Sequence, residues 1–168
     1  MHQYRLAQPE DIPAIYTLAR EAWYQTYPSI ISTEQIEFML QWMYGPETIA
    51  QQLAEGRISW LLLEEVDAQK STLLGFASFG PHDTEQGVQR LHKLYLSPAL
   101  KGSGLGRALL HEVVRRMPAD AQFLELNVNK RNPAFGFYQR MGMEVYREEV
   151  LDIGHCFVMD DYVMRLTL

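Results

Sequence analysis

A glycine-rich turn between an apolar stretch and a helical pattern constrains this 168-residue chain more than any other feature. Gly102, Gly104 and Gly106 lie at every second position, so another group can approach the backbone closely and positive φ angles cost little. Apolar residues then recur at helical spacing: Leu105, Ala108, Leu109, Val113 and Met117. The turn therefore lies at a helix N-terminus, where free N–H groups and the helix dipole favour a phosphate.

Two basic residues flank this turn. Lys101 and Arg107 add positive charge to an acidic chain, and a guanidinium can hold phosphate oxygens through paired hydrogen bonds. The spacing excludes two better-known phosphate loops, because no Lys-Ser or Lys-Thr follows the glycines and G-x-G-x-G differs from the dinucleotide fingerprint. A flexible strand-to-helix turn without a ligand is the alternative interpretation.

Composition limits the function classes. The chain has 15 basic and 21 acidic residues, a net charge of −6, which argues against a general nucleic-acid binder. Its one cysteine, Cys156, cannot form an internal disulfide, and the scattered histidines predict no metal site. We expect one domain over residues 1–168, located in the cytoplasm without membrane contact. The oligomeric state is open, with a homodimer among the alternatives.

The order of elements predicts an α/β chain: strand, helices, three strands, helix, strand, helix, two strands. The predicted strands cover residues 3–6, 58–66, 72–79, 88–96, 121–129, 143–153 and 156–168. The predicted helices begin near residues 9, 33, 46 and 104, and a short one spans residues 133–141.

A second motif follows the glycine turn. Residues 132–143 read Asn-Pro-Ala-Phe-Gly-Phe-Tyr-Gln-Arg-Met-Gly-Met, which resembles the N-x-x-A-x-x-F-Y-x-x-x-G-F segment of the GNAT N-acetyltransferase superfamily. Lys101-x-x-Gly104-x-Gly106 resembles the acetyl-CoA signature [Q/R]-x-x-G-x-[G/A] of that superfamily, with Lys at its first position. Two motifs in this order are more specific than either alone. Residues 91–98, 126–130 and 159–164 further resemble bacterial PaiA-type polyamine N-acetyltransferases.

The resemblance implies a mixed, twisted sheet of six to seven strands with helices on both faces. Its parallel fourth and fifth strands would splay apart for acetyl-CoA, whose pantetheine arm would pair with the main-chain groups left free. Asn132 has the alternative role of capping the helix that follows it. The resemblance implies cofactor contacts for Leu94, Tyr95, Leu96, Lys101, Gly102, Ser103, Gly104, Gly106, Arg107 and Asn132.

The resemblance also suggests catalytic groups. Tyr138 matches the family tyrosine that faces the CoA sulfur, and a phenol can protonate a departing thiolate. Its alternative role is core packing. Many family members carry Glu near the position of Arg90, so the general base is not carried over. His92, whose imidazole ordinarily titrates near neutral pH, is a candidate, as is a chain of water molecules. A main-chain N–H within residues 94–96 would polarise the thioester carbonyl.

The acceptor is expected to be a cationic amine, which would be attracted by an acidic mouth formed from Glu21, Glu37, Asp160 and Asp161. Trp23, Tyr27 and Asp160 are the candidate substrate-binding residues, with core packing and a solvated strand start as their alternative roles. The expected function is transfer of acetyl from acetyl-CoA to a primary amine of a small molecule, polyamines included, by direct attack in a ternary complex. Peptide or protein N-acetylation and a non-catalytic CoA-binding regulatory domain are the alternatives.

Overall fold

The computed structural model describes all 168 residues, and its strands form one seven-stranded sheet in the order β1-β2-β3-β4-β5-β7-β6. Neighbouring strands are antiparallel, except that β4 and β5 run parallel. The mixed sheet predicted from the sequence is thereby confirmed. The strands are β1 (His2–Leu6), β2 (Ser59–Val66), β3 (Ser71–Pro81), β4 (Val88–Leu96), β5 (Phe123–Asn129), β6 (Glu144–Gly154) and β7 (Phe157–Thr167).

The helices begin where capping residues predict. Ser32 Oγ accepts a hydrogen bond of 3.1 Å from the Gln35 N–H at the start of the second helix, and Pro46 is the first residue of the third. No helix has both the length and the apolar character needed to cross a bilayer. The helices are α1 (Ile12–Thr26), α2 (Thr33–Tyr44), α3 (Pro46–Glu55), α4 (Leu105–Arg115) and α5 (Ala134–Arg140).

The two faces of the sheet carry separate hydrophobic clusters. Helices α1, α2 and α3 bury side chains such as Trp23 and Leu40 against β2 and β3. Helices α4 and α5 bury Leu109 and Tyr138 against the opposite face. Helices therefore cover both faces, as predicted, and any opening between two strands connects the two layers.

Such an opening begins where β4 and β5 separate. Their parallel pairing covers three residue pairs, from Val88 with Phe123 to Arg90 with Glu125, and then ends. Beyond Arg90 the two strands diverge. A forked gap therefore forms between β4 and β5, at the position predicted from the sequence.

Buried ion pairs fix the base of this fork. The fully buried Glu125 carboxylate accepts from Arg90 at 3.0 Å and from Arg165 at 2.8 Å, and Arg147 lies 3.4 Å away. A buried carboxylate is stable only with charged hydrogen-bonding partners, so these guanidiniums hold β4, β5, β6 and β7 together at this point.

A bulge in β4 sets the direction of its side chains. The register with β3 shifts between Ser78–Lys93 and Phe79–Leu91, which leaves His92 as the extra residue. Leu91 packs in the cluster beneath α4, whereas Tyr95 packs against the cluster beneath α1. The bulge thus turns Lys93 and Tyr95 towards the α1 face.

Candidate active site

The glycine turn presents unpaired backbone donors to open space. Gly102 and Gly104 have φ angles of +84° and +83°, and a Cβ added at either would meet no atom within 4 Å. The N–H groups of Gly102, Gly104, Gly106 and Arg107 donate to no group of the chain. Together with the N-terminus of α4 they form a site suited to an anion.

The residues flanking this turn are also free to bind. Lys101 and Arg107 are exposed, and neither side chain forms an ion pair or a hydrogen bond within the chain. Ser103 acts locally, because its Oγ accepts a bond of 3.3 Å from the Leu105 N–H. Two uncommitted cations beside four free N–H groups can neutralise a diphosphate.

Main-chain groups of β4 face the gap between the strands. The Ser97 N–H donates to the Leu74 carbonyl in β3 at 2.8 Å, so Ser97, Tyr95 and Lys93 direct their backbone groups towards β3. Leu94 and Leu96 direct theirs towards the gap. Leu94, Tyr95 and Leu96 were expected to offer free backbone groups to the gap. Tyr95 does not, because its backbone pairs with β3, and it contributes its side chain instead.

A small cavity of about 60 Å³ occupies the gap, and Tyr138 of α5 forms part of its wall. The Tyr138 side chain is buried, and its hydroxyl has no hydrogen-bond partner in the chain. Burial, with a smaller contribution from Tyr27, raises the pKa of this phenol. Tyr138 therefore keeps its proton at neutral pH and can donate it to a leaving group.

Asn132 connects the start of α5 to the opposite layer. Its Oδ1 accepts from the Ala134 N–H at 2.9 Å, and its Nδ2 donates to the Tyr27 hydroxyl at 3.0 Å. Asn132 thus satisfies a free N–H in the first turn of α5, although Pro133, and not Asn132, is the N-cap residue. The contact with Tyr27 also places that phenol at the edge of the gap.

A larger cavity of about 400 Å³ lies between α1, α2 and the sheet. Trp23 and Tyr27, the candidate substrate-binding residues, line it and also pack in the core, with their ring centroids 4.3 Å apart. It adjoins the gap, because the two cavities share lining residues. These shared residues are Tyr27, Leu91, His92, Lys93, Tyr95 and Asn127.

The structure corrects the expectation for Asp160. Its carboxylate lies outside the cavity, is exposed, and pairs with Lys130 at 2.8 Å. Asp161 lines the cavity instead and is 3% exposed. Successive residues of a strand face opposite sides, so only one of the two aspartates can face the cavity.

A hydrogen-bonded network forms the β5–β6 wall of this cavity. Arg90 Nη2 donates to Asn127 Oδ1 at 2.6 Å. Asn127 Nδ2 donates to Glu149 Oε2 at 2.8 Å and to Asp161 Oδ2 at 3.3 Å. The wall therefore carries two carboxylates that share a single amide donor.

The opposite wall carries a buried lysine. The Lys93 ammonium lies 5.1 Å from the centroid of Tyr44 and 5.4 Å from that of Trp60, without a carboxylate partner. Burial lowers its pKa to about 8. The ammonium thus lies over aromatic rings of the core beneath α1, whereas the carboxylates belong to the cavity wall.

His92 is a weak candidate for the base. Burial, followed by Lys93 and Arg90, lowers its pKa to about 4, so the imidazole is neutral at pH 7. Its Nε2 is buried without a hydrogen-bond partner. A base with so low a pKa removes a proton from an ammonium inefficiently.

Comparison with known proteins identifies the family. Residues 29–166 match the family model described as acetyltransferase (GNAT) domain. The chain belongs to the GNAT acetyltransferase family. It is accordingly an acyl-CoA-dependent N-acetyltransferase.

Individual relatives agree with this assignment. This GNAT protein is 30% identical over 154 residues to the spermidine N(1)-acetyltransferase of Thermoplasma acidophilum, covering 90% of this chain and 91% of the relative. The crystal structure of the PaiA N-acetyltransferase from Thermoplasma acidophilum in complex with coenzyme A superposes with a TM-score of 0.80 at 26% identity, covering 100% and 99% of the two chains. YncA of Salmonella typhimurium, solved with its cofactor acetyl-CoA, has the same fold, with a TM-score of 0.67 at 22% identity and coverage of 100% and 94%.

Sequence reasoning named Asp161 for an acidic mouth but missed the rest of the acidic wall of this GNAT protein. Arg90, Asn127, Glu149 and Asp161 come from three different stretches of the chain and follow no motif spacing. Their proximity depends on the order β4-β5-β7-β6, in which β7 lies between β5 and β6. The alternation of side chains along β7 predicts that only one of Asp160 and Asp161 faces the cavity, but it does not tell which of the two does.

Proposed function

We propose that this GNAT enzyme transfers acetyl from acetyl-CoA to a primary amine of a small molecule, with polyamines as the acceptor class. Both substrates would be bound together, and the amine would attack directly. One observation carries the proposal. The gap beside Tyr138 opens through shared lining residues into a cavity whose wall holds the carboxylates of Glu149 and Asp161.

The residues present fit acetyl-CoA. The free N–H groups of the glycine turn, with Lys101 and Arg107, would hold its diphosphate. The free N–H groups of Leu94 and Leu96 would donate hydrogen bonds to its pantetheine amides, and their free carbonyls would accept hydrogen bonds from them. The thioester it supplies would then lie in the gap near Tyr138.

The transfer requires three events at named atoms. The amine nitrogen forms a bond to the thioester carbonyl carbon, the carbon–sulfur bond breaks, and the sulfur gains a proton. Tyr138 would supply that proton, because its raised pKa keeps the phenol protonated until the thiolate departs. A main-chain N–H of Leu94 or Leu96 would stabilise the carbonyl oxygen as charge develops on it.

The acceptor cavity favours a flexible aliphatic amine that carries a second cation. Its lining is largely apolar and includes Met39, Met43 and Leu151, which suits a methylene chain. The carboxylates at its wall attract positive charge and form charge-assisted hydrogen bonds. A relative named for spermidine acetylation supports this acceptor class.

The roof of the cavity argues against a peptide acceptor. Gln35 Nε2 of α2 donates to the Val158 carbonyl of β7 at 2.9 Å, joining α2 to the sheet above the cavity. A bound peptide needs an open groove on both sides of the reacting residue. The unpartnered Tyr138 hydroxyl likewise favours catalysis over CoA sensing without turnover.

The test is CoA release from acetyl-CoA with a panel of amines. Spermidine and 1,4-diaminobutane are compared with n-butylamine, which has the same chain length but no second cation, and with a short peptide. We expect the diamine to exceed n-butylamine in kcat/KM by roughly 10-fold or more, as a charge-assisted hydrogen bond of about 1.5–3 kcal/mol implies. Glu149→Gln should lower the ratio of kcat/KM for 1,4-diaminobutane to kcat/KM for n-butylamine. Equal rates for both amines, or turnover of the peptide alone, would refute the acceptor class.

A further inference from the structure

The orientation of the Asn127 amide is determined by its neighbours. A guanidinium can only donate hydrogen bonds, so the atom 2.6 Å from Arg90 Nη2 must be the amide oxygen. The amide NH₂ must then face Glu149 and Asp161, which accept from it. Arg90 is itself anchored on Glu125 at the base of the fork. The fork therefore dictates which end of Asn127 meets the two carboxylates.

The two carboxylates experience different surroundings. Glu149 is one-third exposed and lies 3.4 Å from Arg147, and the pKa of its carboxyl is lowered, mainly by Asn127. Asp161 is 3% exposed, and burial raises its pKa to about 6. Paired carboxyl groups that titrate apart commonly divide their roles, one remaining charged while the other exchanges a proton.

Asp161 also occupies the right place. Its Oδ2 bonds to Asn127, a residue that lines both the acceptor cavity and the gap, so the carboxylate lies one hydrogen bond from the junction of the two. Its Oδ1 has no hydrogen-bond partner in the chain. The ionisable groups around it are Tyr27 of α1, Arg90, His92 and Lys93 of β4, Glu149 of β6 and, on the opposite face of β7, Asp160.

We propose that Asp161 is the proton acceptor for the attacking amine, and that Arg90 and Asn127 are positioning residues that hold its carboxylate at the junction. The proposal rests on the amine acetylation proposed above. It places the base on β7, where Arg90 of β4 acts on its carboxylate through Asn127.

The protons balance as follows. The bound ammonium gives one proton to the Asp161 carboxylate, directly or through one water, and its nitrogen lone pair becomes available. The nitrogen attacks the carbonyl carbon and gives its second proton to solvent as the tetrahedral intermediate collapses. Tyr138 protonates the departing sulfur and takes one proton back from solvent, and Asp161 returns its own proton to solvent. The net products are the N-acetyl amine, CoA thiol and one proton.

The test compares Asp161→Asn with Asp160→Asn, a matched change one residue away on the opposite face. With saturating acetyl-CoA, Asp161→Asn should lower kcat at pH 7 by about 100-fold or more, whereas Asp160→Asn should leave it unchanged. The acidic limb of the wild-type kcat/KM profile, near pH 6, should be absent in Asp161→Asn. Calorimetry with CoA shows whether each variant retains its fold and its CoA site.

A second measurement does not depend on changing Asp161. Glu149→Gln removes a charge that raises the pKa of Asp161, so the acidic limb should move to lower pH. Asn127→Leu and Arg90→Met each remove a group that lowers the pKa of Asp161, so the acidic limb of the kcat/KM profile should move to higher pH. A purely structural role would not give shifts of opposite sign.

The outcomes separate this inference from the proposed function. An unchanged kcat in Asp161→Asn, with only KM raised, would make Asp161 a binding group and overturn the inference. An acidic limb at the wild-type pH in Glu149→Gln, Asn127→Leu and Arg90→Met would also overturn the inference. Absence of turnover by the wild type with every amine would instead defeat the proposed function.

Discussion

Replacing Asp161 by Asn should stabilise the protein while it disables the chemistry. Burial raises the pKa of this carboxyl from its ordinary value of 3.8 to about 6. The folded state therefore binds the proton more tightly than the unfolded chain does. Between these two values stability falls as pH rises, because ionisation is easier in the unfolded state.

The magnitude follows from the size of the pKa difference. At about 1.4 kcal/mol per pH unit, the ionised carboxylate lowers the free energy of unfolding by about 3 kcal/mol above pH 6. Asn has nearly the same shape and no charge, so Asp161→Asn should recover this free energy at pH 8. For a chain of this length that corresponds to a rise in Tm of roughly 6–12 °C. At pH 4.5 the gain should shrink to about 1 kcal/mol, because Asp161 in the folded protein is then already protonated.

The assay is urea unfolding of the ligand-free protein at pH 8 and at pH 4.5. Asp160→Asn is the control, since its exposed pair with Lys130 is worth at most about 1 kcal/mol. Equal stability of Asp161→Asn and wild type at pH 8, or a gain independent of pH, would refute the claim that the cavity holds a carboxylate at a cost to the fold.

Four other substitutions examine the acetyl-CoA side. Tyr138→Phe should lower kcat about 100-fold or more while the Kd for CoA, measured by calorimetry, changes little; equal kcat values would remove the phenol from the mechanism. Gly104→Ala should raise the Kd for CoA by more than the backbone strain of an alanine at positive φ accounts for. Gly56→Ala is the control for that strain, because Gly56 has a φ of +67°, equally open space and a position at a distant helix end. Equal Kd values for CoA in the two variants would contradict the diphosphate site. Lys101→Ala and Arg107→Ala should each raise the Kd for CoA about 10-fold and change stability by less than about 0.5 kcal/mol, and an unaltered Kd in both would show that neither cation contacts the cofactor.

The fold was largely predictable because its signals are local. The N-cap at Ser32, the break at Gly45 and Pro46 and the apolar stretches of the strands each determine an element from a few neighbouring residues. All seven strands were predicted, although β5 begins at Phe123 and not at residue 121. The glycine turn was equally accessible, since its conformation depends on residues that lie beside one another.

The acceptor site was less predictable because it depends on contacts distant in sequence. Asn127 meets Glu149 and Asp161 only after β7 has inserted between β5 and β6. The sequence offers Asp160 and Asp161 alike for an acidic mouth, and the register of β7 places Asp161 inside. The unusual pKa of Asp161 arises from burial, which a pattern of residues does not reveal.

The extra residue in β4, His92, reverses which face of the sheet the odd-numbered side chains of the strand occupy. Side chains upstream of His92 follow one alternation and those downstream follow the other, which is why Leu91 and Tyr95 lie on opposite faces despite their even separation. A regular ladder that kept His92 would send Lys93 and Tyr95 into the layer beneath α4, on the face of Leu91, whereas deleting His92 would remove the bulge and leave them facing α1. The bulge thus places Lys93 and Tyr95 in the cavity lining at an even separation from the packed Leu91.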